Sequence, residues 1–233
     1  MARSLAFLPG TMCDERVWAP VRQRLNRGFS TAYIAIETQQ TREAMFALID
    51  SVAVSGDPLH LVAFSMGGYL ALDYALSRPD RIASLVTVGS SAFGLTAEEA
   101  AERVRAIAML EKHHYRGISQ ARLNQFVHPS HQSDPAVAGV IREMDRDLGK
   151  DVLLSQLRET STRASLASRL PELGMPALYI GADGDPFVPW TSIKQMTALT
   201  PGARMIKAAD AGHMLPLEQH EWLATQIAEF HRA

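Results

Sequence analysis

Three segments of this chain hold residue types that together could cleave an acyl bond. The first contains Ser65, which stands between an apolar run, Leu59–Phe64, and a helix-like segment that begins at Met66. A strand that turns into a helix within about three residues projects such a serine above the strand end, and only small neighbours fit there, as Ala63 and Gly67 are. The pattern predicts a nucleophile, with a serine that simply caps a helix as the alternative.

A histidine and two aspartates follow later apolar runs and could activate this serine. A serine hydroxyl needs a base to accept its proton, and the base needs an acid to fix its tautomer. His213 follows the last apolar run, and Asp183 and Asp185 both follow the run before it. We favour Asp185 because it directly precedes Pro186, and Asp183 is the alternative. Both aspartates also suit an ordinary turn.

Acyl transfer also needs hydrogen-bond donors for the charge that develops on the carbonyl oxygen. The amide of Met66, the residue after the serine, is the first candidate. The second comes from the loop at 8–14, where we prefer the Thr11 amide to that of Met12. A plain Pro-Gly turn is the alternative for this loop. Cys13 is interpreted as a small loop residue because no histidine lies near it in the sequence.

Large apolar side chains in the same loops are candidates for the wall of a substrate pocket. They favour a small, apolar substrate, and core packing is the alternative for each of them. The candidates are Met12, Phe93, Phe187, Trp190 and Met214. None of the loop motifs carries a cation, although Arg122 could bind an anionic tail. His128 and His131 lack a third ligand, so the sequence predicts neither a metal nor a cofactor.

Composition limits the partners of the chain to small molecules. The 233 residues carry 23 Lys and Arg against 25 Asp and Glu, so no basic excess favours nucleic acid. No apolar run approaches the roughly 18–20 residues that span a bilayer, and the first residues show no secretory segment. The single Cys13 excludes an intramolecular disulfide. We expect a cytoplasmic protein that acts as a monomer or homodimer on a small ester.

Short apolar runs alternate with longer amphipathic segments along most of the chain. Continuous apolar runs are typical of strands in a parallel sheet, which are buried on both faces. The sequence therefore predicts an α/β fold with a mostly parallel sheet of about six strands and helices on both faces. The predicted strands lie at 5–8, 32–36, 59–64, 82–88, 177–180 and 203–207, and the helices at about 15–27, 41–54, 66–78, 190–199 and 217–231.

The alternation stops between residues 92 and 170, where no strand pattern occurs. We predict a helical cap, or lid, over this range and a core made of 1–91 and 171–233. A length of about 80 residues far exceeds what a crossover connection needs. Extra crossover helices without a lid role are the alternative. The predicted cap helices lie at 96–115, 119–127, 134–147 and 149–170.

The four loop motifs together resemble the α/β-hydrolase-fold superfamily, in its small, cofactor-free serine hydrolase branch. They read Leu-Pro-Gly-Thr-Met-Cys-Asp at 8–14, Ala-Phe-Ser-Met-Gly-Gly-Tyr at 63–69, Gly-Ala-Asp-Gly-Asp-Pro-Phe-Val-Pro at 181–189 and Ala-Gly-His-Met-Leu-Pro-Leu-Glu at 211–218. The order serine, aspartate, histidine is that of this superfamily. Three departures occur. Ala63 replaces the first glycine of the serine motif, and Pro-Gly replaces a His-Gly loop. The N-terminal antiparallel strand pair of larger members is not expected here, because the run Leu5–Leu8 begins almost at the first residue, so the resemblance implies a sheet reduced to about six strands.

The resemblance implies hydrolysis of a carboxylic ester, lactone or thioester through Ser65, His213 and Asp185, with Thr11 and Met66 as oxyanion donors. Similar proteins also cleave carbon–carbon bonds, so a C–C hydrolase or a hydroxynitrile lyase with the same triad is one alternative. A small-molecule receptor with residual hydrolysis is another. Enzymes with a carboxylate nucleophile are excluded because Ser65 occupies that position.

Overall fold

Six strands form one fully parallel sheet in the computed structural model, which describes residues 3–52 and 57–232. The sheet has the order β2-β1-β3-β4-β5-β6, and every neighbouring pair is parallel. This confirms the α/β fold and the strand count expected from the apolar runs. The strands are β1 (Ser4–Leu8), β2 (Ser30–Tyr33), β3 (Leu59–Phe64), β4 (Ile82–Val88), β5 (Ala177–Ala182) and β6 (Arg204–Ala208).

Nine α-helices are described in the same residues. They are α1 (Ala19–Leu25), α2 (Arg42–Val52), α3 (Met66–Ser77), α4 (Ala97–Lys112), α5 (Gln120–Phe126), α6 (Val140–Ser161), α7 (Trp190–Leu199), α8 (Leu215–Glu218) and α9 (His220–Arg232). None of them is long and apolar enough to cross a membrane.

The sheet is buried on both faces because successive strand residues enter different clusters. Leu5 and Phe7 of β1 pack in a first cluster with side chains of α1 and α9. Ala6 and Leu8 pack in a second cluster with side chains of α2, α3 and α7. Since side chains alternate between the faces of a strand, a continuous apolar run supplies both clusters. This packing explains why the inner strands β1, β3, β4 and β5 have no polar face, whereas the edge strands β2 and β6 are exposed along part of their length.

The second strand differs from its prediction at 32–36. The strand covers Ser30–Tyr33, and the chain then leaves the sheet for a short 3-10 turn at Ile36–Thr38. Ile34 and Ile36 are nevertheless buried, because the loop carries them into the second cluster. Here the apolar pattern indicated that the side chains are buried, but it did not indicate that the residues pair in a strand.

The predicted helix at 41–54 is present as α2, but its last two residues lie outside the described residues. The predicted helix at 149–170 is shorter than expected. The first part of this range forms the second half of α6, which is kinked at Gly149 (φ 73°) and ends at Ser161. A separate 3-10 helix, Ala167–Glu172, follows and contains Pro171. Proline lacks the amide hydrogen that a longer α-helix would need there.

Helices α4, α5 and α6 lie between β4 and β5, and we call residues 92–170 the helical segment. Thr96 begins α4 with a capping box that includes Glu99. No residue of α4 is buried. In contrast, Leu123 of α5 and Met144 of α6 are fully buried and join the first cluster. The segment is therefore anchored to the sheet through α5 and α6.

Candidate active site

Ser65 lies in a sharp turn between β3 and α3, with a left-handed backbone (φ 51°, ψ −115°). A non-glycine residue rarely adopts this conformation, and strain of this kind is common at functional sites. Small neighbours allow the turn: a Cβ added to Gly67 would lie 2.3 Å from the Pro9 carbonyl oxygen. One added to Gly68 would lie 2.5 Å from the Cβ of Ser90. These close approaches explain the two glycines after Met66.

The predicted histidine and one of the predicted aspartates meet this serine. The Ser65 Oγ lies 2.9 Å from Nε2 of His213, and the His213 Nδ1 lies 2.8 Å from Oδ2 of Asp185. Asp183 instead is exposed and accepts a long hydrogen bond from the Ala211 amide at 3.5 Å. The structure thus places Asp185, and not Asp183, against the imidazole.

Backbone amides hold the carboxylate of Asp185 in its orientation. Its Oδ1 accepts hydrogen bonds from the amides of Phe187 at 2.8 Å and Val188 at 3.2 Å. Its Oδ2 is left to face His213. Gly89, just after β4, lies beside this oxygen and has a positive φ of 53°, a backbone conformation that favours glycine. A buried carboxylate with two donors is suited to fix the tautomer of the histidine.

The loop that carries His213 is tied to the helical segment. The amides of His213 and Met214 both donate to the Phe126 carbonyl, at 2.8 and 3.1 Å. Nearby, Oε2 of Glu218 accepts from the amides of Gly212 and His128, each at 2.9 Å. Burial raises the pKa of Glu218, and these two donors oppose that effect. The position of the histidine therefore depends on both regions of the molecule.

Aromatic rings surround the imidazole. The ring centroids of Phe64 and Phe187 each lie 5.2 Å from that of His213, and the Phe126 centroid lies 5.8 Å away. The Phe126 and Phe187 rings stack at 4.7 Å. His213 itself is only 5% exposed. Because these three rings pack around the imidazole, its remaining contacts are with Ser65, Asp185 and the cavity.

Of the predicted oxyanion donors, Thr11 lines the same cavity as Ser65, and Met66 directly follows Ser65 in the chain. Among the described residues, the amides of Thr11 and Met66 have no hydrogen-bond acceptor. The Met12 amide donates instead to the Gln156 Oε1 at 2.9 Å, so it is unavailable as the second choice. Met12 also has a positive φ of 53°, which turns the loop at this point. Both free amides are consistent with the predicted role.

Cys13, in the same loop, is buried, and burial raises its pKa. The thiol is hydrogen-bonded to the Thr11 carbonyl at 3.4 Å. A thiol with a raised pKa is a poor nucleophile near neutral pH. Its environment agrees with the structural role predicted from the sequence.

Ser65 and His213 open into a cavity of about 660 Å³ between the sheet and the helical segment. Of the predicted pocket residues, Met12, Phe187 and Met214 line it. The helical segment adds an apolar wall. That wall includes Leu95, Ala106, Met109, Leu110, Ile118 and Leu157. The volume suits a small organic molecule.

Two predicted pocket residues do not line the cavity, which corrects the expectation for them. Phe93 packs against the second cluster. Trp190 also packs there, with its ring 3.3 Å from where a Gly181 Cβ would be and with the Lys207 ammonium 5.5 Å from its centroid. Both side chains are partly buried against this cluster. Their size serves packing, which was the alternative interpretation.

The His128 and His131 pair provides no metal site in the described residues. The two rings lie 6.5 Å apart, and His128 Nδ1 is 2.6 Å from the Ser130 hydroxyl oxygen. No group of three or more histidine, cysteine, aspartate or glutamate side chains in ranges 3–52 and 57–232 could hold a metal ion.

Several residues at the site were not singled out from the sequence. Gln156 accepts one hydrogen bond from the Met12 amide, and Glu218 accepts two, from the amides of His128 and Gly212. Arg103 and Arg163 join the predicted Arg122 on the cavity wall. Of these residues, Glu218 was visible in the sequence as part of the last motif. No sequence signal pointed to Gln156, Arg103 or Arg163.

The chain belongs to the α/β hydrolase fold family. The family model matches residues 52–219, which contain the serine, aspartate and histidine segments. The described fold and the order of the three segments agree with this assignment.

Two kinds of curated enzyme are similar to the chain in sequence. A pimeloyl-[acyl-carrier protein] methyl ester esterase from Neisseria meningitidis is 25% identical over 189 residues, which cover 79% of this chain and 74% of the esterase. A 2-hydroxy-6-oxononadienedioate/2-hydroxy-6-oxononatrienedioate hydrolase from Cupriavidus pinatubonensis is 26% identical over 177 residues. That match covers 74% of this chain and 61% of the hydrolase. Hydrolase activity is supported at the level of the family.

Solved structures share the fold at low sequence identity. A thermophilic esterase from Thermogutta terrifontis, with malate bound, has a TM-score of 0.88 and 22% identity. The match covers 100% of this chain and 90% of the esterase. The enol-lactonase from Burkholderia xenovorans LB400 has a TM-score of 0.86 and 18% identity, with 100% and 92% coverage.

Proposed function

We propose that the protein hydrolyses a carboxylic ester, or a lactone or thioester, of a small molecule with Ser65 as nucleophile. One observation carries the proposal: Ser65, His213 and Asp185 form a hydrogen-bonded chain, with distances of 2.9 and 2.8 Å, and Ser65 and His213 line a cavity of about 660 Å³. The esterases among similar proteins support ester hydrolysis as the reaction.

The geometry supports a two-step acyl transfer. The Ser65 oxygen bonds to the acyl carbon while its proton moves to Nε2 of His213. Asp185 stabilises the imidazolium through Nδ1. The Thr11 and Met66 amides hold the negative oxygen of the tetrahedral intermediate. Collapse of the intermediate breaks the bond to the alcohol, which receives the proton from His213.

The second step releases the acid. Water attacks the acyl-serine while the neutral imidazole of His213 accepts one of its protons. The serine oxygen then leaves and takes that proton back. Every proton in the cycle moves between the substrate, water and these side chains, so the reaction as proposed uses no cofactor.

The helical segment fits the role of a lid in this proposal. It lines the cavity that contains Ser65, and it is joined to the His213 loop through the Phe126 carbonyl. Loops and helices in such positions commonly exclude water and admit substrate. The cavity wall then comes from a different part of the chain than the three reacting side chains.

Labelling with a fluorophosphonate probe tests the nucleophile, and a chain-length series of p-nitrophenyl esters tests the reaction. We expect one probe molecule per protein, located on Ser65 by peptide mass spectrometry, and loss of ester hydrolysis in proportion to labelling. The His213→Ala variant should label far more slowly because the serine loses its base. Labelling at Ser65 without ester turnover would instead favour C–C cleavage, lyase chemistry or a receptor.

A further inference from the structure

Three arginines of the helical segment line the cavity that contains Ser65: Arg103 on α4, Arg122 on α5 and Arg163 just after α6. Their presence is unexpected in a pocket whose other wall residues are largely apolar. Arginine is strongly favoured where a carboxylate or phosphate must be recognised, because its planar group donates several hydrogen bonds in a fixed geometry.

These three guanidinium groups have few partners of their own. Among the residues that the structure describes, none forms an ion pair with a carboxylate. Arg103 donates to the Thr160 hydroxyl, and Arg122 donates to Gln125 at 2.8 Å. The Nε of Arg163 is buried and has no hydrogen-bond partner in the described residues. Buried donors without partners favour binding of an acceptor.

The arginines also act on each other through their charges. Burial, followed by the positive charge of Arg163, lowers the pKa of Arg103 to about 10. Burial likewise lowers the pKa of Arg163 and of Arg122. An anion placed among them would relieve this repulsion. The cavity thus holds positive charge at a cost that a bound anion would offset.

The charge balance fits a monoanion. Glu99 and Glu102 line the same cavity as the three arginines, so at least two carboxylates accompany the three guanidinium groups. The remaining acid of the wall, Asp145, has its oxygens engaged by the Tyr115 hydroxyl and the Ile118 amide. With three acids on the wall against three arginines, the cavity carries no large excess of positive charge, so a carboxylate suits it better than a phosphate dianion.

Arg122 lies a short distance from the reacting groups. Its guanidinium carbon is 5.0 Å from the Phe187 ring centroid, and that centroid is 5.2 Å from the centre of the His213 ring. It also lies 4.7 Å from the Phe126 ring centroid. One aromatic layer therefore separates this cation from the imidazole. Since Ser65 and Arg122 line the same cavity, the tail of an ester bound at Ser65 can extend toward Arg122.

We propose that Arg103, Arg122 and Arg163 form an anion subsite that selects esters with a carboxylate remote from the scissile bond. The subsite rests on the proposed ester hydrolysis and names its substrate class: a monoester of a dicarboxylic acid, or an ester of comparable shape. It changes the sequence-based expectation of an apolar substrate, because only Arg122 was considered for such a role.

The test compares a charged ester with its uncharged analogue of the same length. The pair is mono-p-nitrophenyl glutarate and p-nitrophenyl valerate, and the readout is the ratio of their kcat/KM values. We expect the glutarate ester to be preferred by the wild type. Arg122→Gln and Arg163→Gln should each lower the ratio about tenfold to hundredfold, as loss of a charged hydrogen bond does. The ratio does not depend on the fraction of folded protein.

Arg105→Gln is the matched control, since Arg105 is an exposed residue of α4 that does not line the cavity. It should leave the ratio unchanged. A wild-type ratio near one, or an equal ratio in all variants, would overturn the subsite while leaving ester hydrolysis established. If neither ester is cleaved, the proposed ester hydrolysis is contradicted. The subsite is then tested by ligand binding alone, as follows.

Binding is measured with Ser65→Ala protein, for which turnover is irrelevant. Free glutarate should raise its Tm, and the shift should be lost when Arg122→Gln or Arg163→Gln is added. Glutaramide, the neutral analogue, should give no shift. An equal shift with all variants would contradict the subsite. A larger shift with inorganic phosphate than with glutarate would contradict its assignment to a carboxylate.

Discussion

The two regions that enclose the cavity differ in how firmly their side chains are packed. In the sheet region, Leu85, Val86 and Val88 of β4 are fully buried. In the helical segment, α4 has no buried residue, and Val104 and Met109 are 65% and 60% exposed. The triad candidates all lie at the carboxyl edge of the sheet, whereas the cavity arginines all belong to the helical segment.

This difference indicates a division of labour in which the sheet region holds the reacting groups and the helical segment selects the substrate. Reacting groups must stay within a few tenths of an ångström of their working geometry, and close-packed interiors provide such precision. A wall that admits and selects substrates tolerates looser packing and needs charged groups near solvent. We therefore expect changes in the sheet region to affect the chemical step and stability, and changes in the helical segment to affect selection.

Substitution of the triad acid should give the largest effect in the sheet region. Asp185→Asn retains the shape of the side chain but removes the charge and favours the wrong histidine tautomer, so kcat should fall about 10³–10⁴-fold. Steady-state hydrolysis of a p-nitrophenyl ester measures it. Asp183→Asn, at the exposed neighbour, should keep kcat within about twofold. Equal losses in the two variants would contradict the assignment of the acid.

Stability provides the next contrast. Leu178 of β5 is fully buried, so Leu178→Ala should lower the free energy of unfolding by about 2–5 kcal/mol. Val104→Ala, on the exposed surface of α4, should change it by less than about 0.5 kcal/mol. Urea unfolding of both variants measures the difference. Similar losses would show that the helical segment is packed as firmly as the sheet.

Gln156 belongs to the helical segment but holds a loop of the sheet region, so we expect it to be an exception to this division. This buried side chain of α6 accepts a hydrogen bond from the Met12 amide, and Met12 directly follows the proposed donor Thr11. Gln156→Leu should loosen the loop and lower kcat about tenfold to hundredfold, with KM nearly unchanged, because the loss falls on the transition state. Gln195→Leu, at an exposed residue of α7, is the control. A rise in KM alone would assign Gln156 to substrate binding instead.

A smaller effect is expected from a buried acid of the sheet region. Burial raises the pKa of Glu37 from 4.5 to about 6, so the folded state holds this proton more tightly than the unfolded state. Its contribution to stability is full below pH 4.5 and declines by at most about 2 kcal/mol as the pH rises through 6.

The Glu37→Gln variant tests this linkage. It should become more stable relative to the wild type as the pH rises from 4 to about 7, as measured by urea unfolding at each pH. Glu143→Gln, which alters an exposed side chain of α6, should follow the wild-type curve in parallel. A parallel curve for Glu37→Gln would show that this buried acid does not titrate as described.

The sheet was predictable because its signals are local. Runs such as Leu59–Phe64 and Ile82–Val88 match their predicted bounds, since strands buried on both faces have no polar interruptions. The edge strand β2 was placed too far along the chain, because Ile34 and Ile36 are buried from a loop. Burial and strand pairing coincide inside the sheet and separate at its edge.

The site likewise contains residues that local sequence signals predict and residues that only tertiary packing brings in. Ser65 and its turn were predictable from adjacent residues, since the small side chains that allow the turn lie within three positions. The choice between Asp183 and Asp185 depended on which carboxylate reaches the histidine, 28 residues away in sequence from Asp185. Gln156, Arg103 and Arg163 reach the site only through tertiary packing of helices, and no local pattern marks them.

The most direct test of the account is the hydrolysis of p-nitrophenyl butyrate by the wild type and by Ser65→Ala, with Ser168→Ala as an exposed control. The account predicts that Ser65→Ala lowers kcat at least about 10³-fold while the protein stays folded, because the acyl-enzyme cannot form. Ser168→Ala should retain wild-type kcat. Retention of kcat within tenfold by folded Ser65→Ala would contradict the proposed nucleophile and the division of labour built on it.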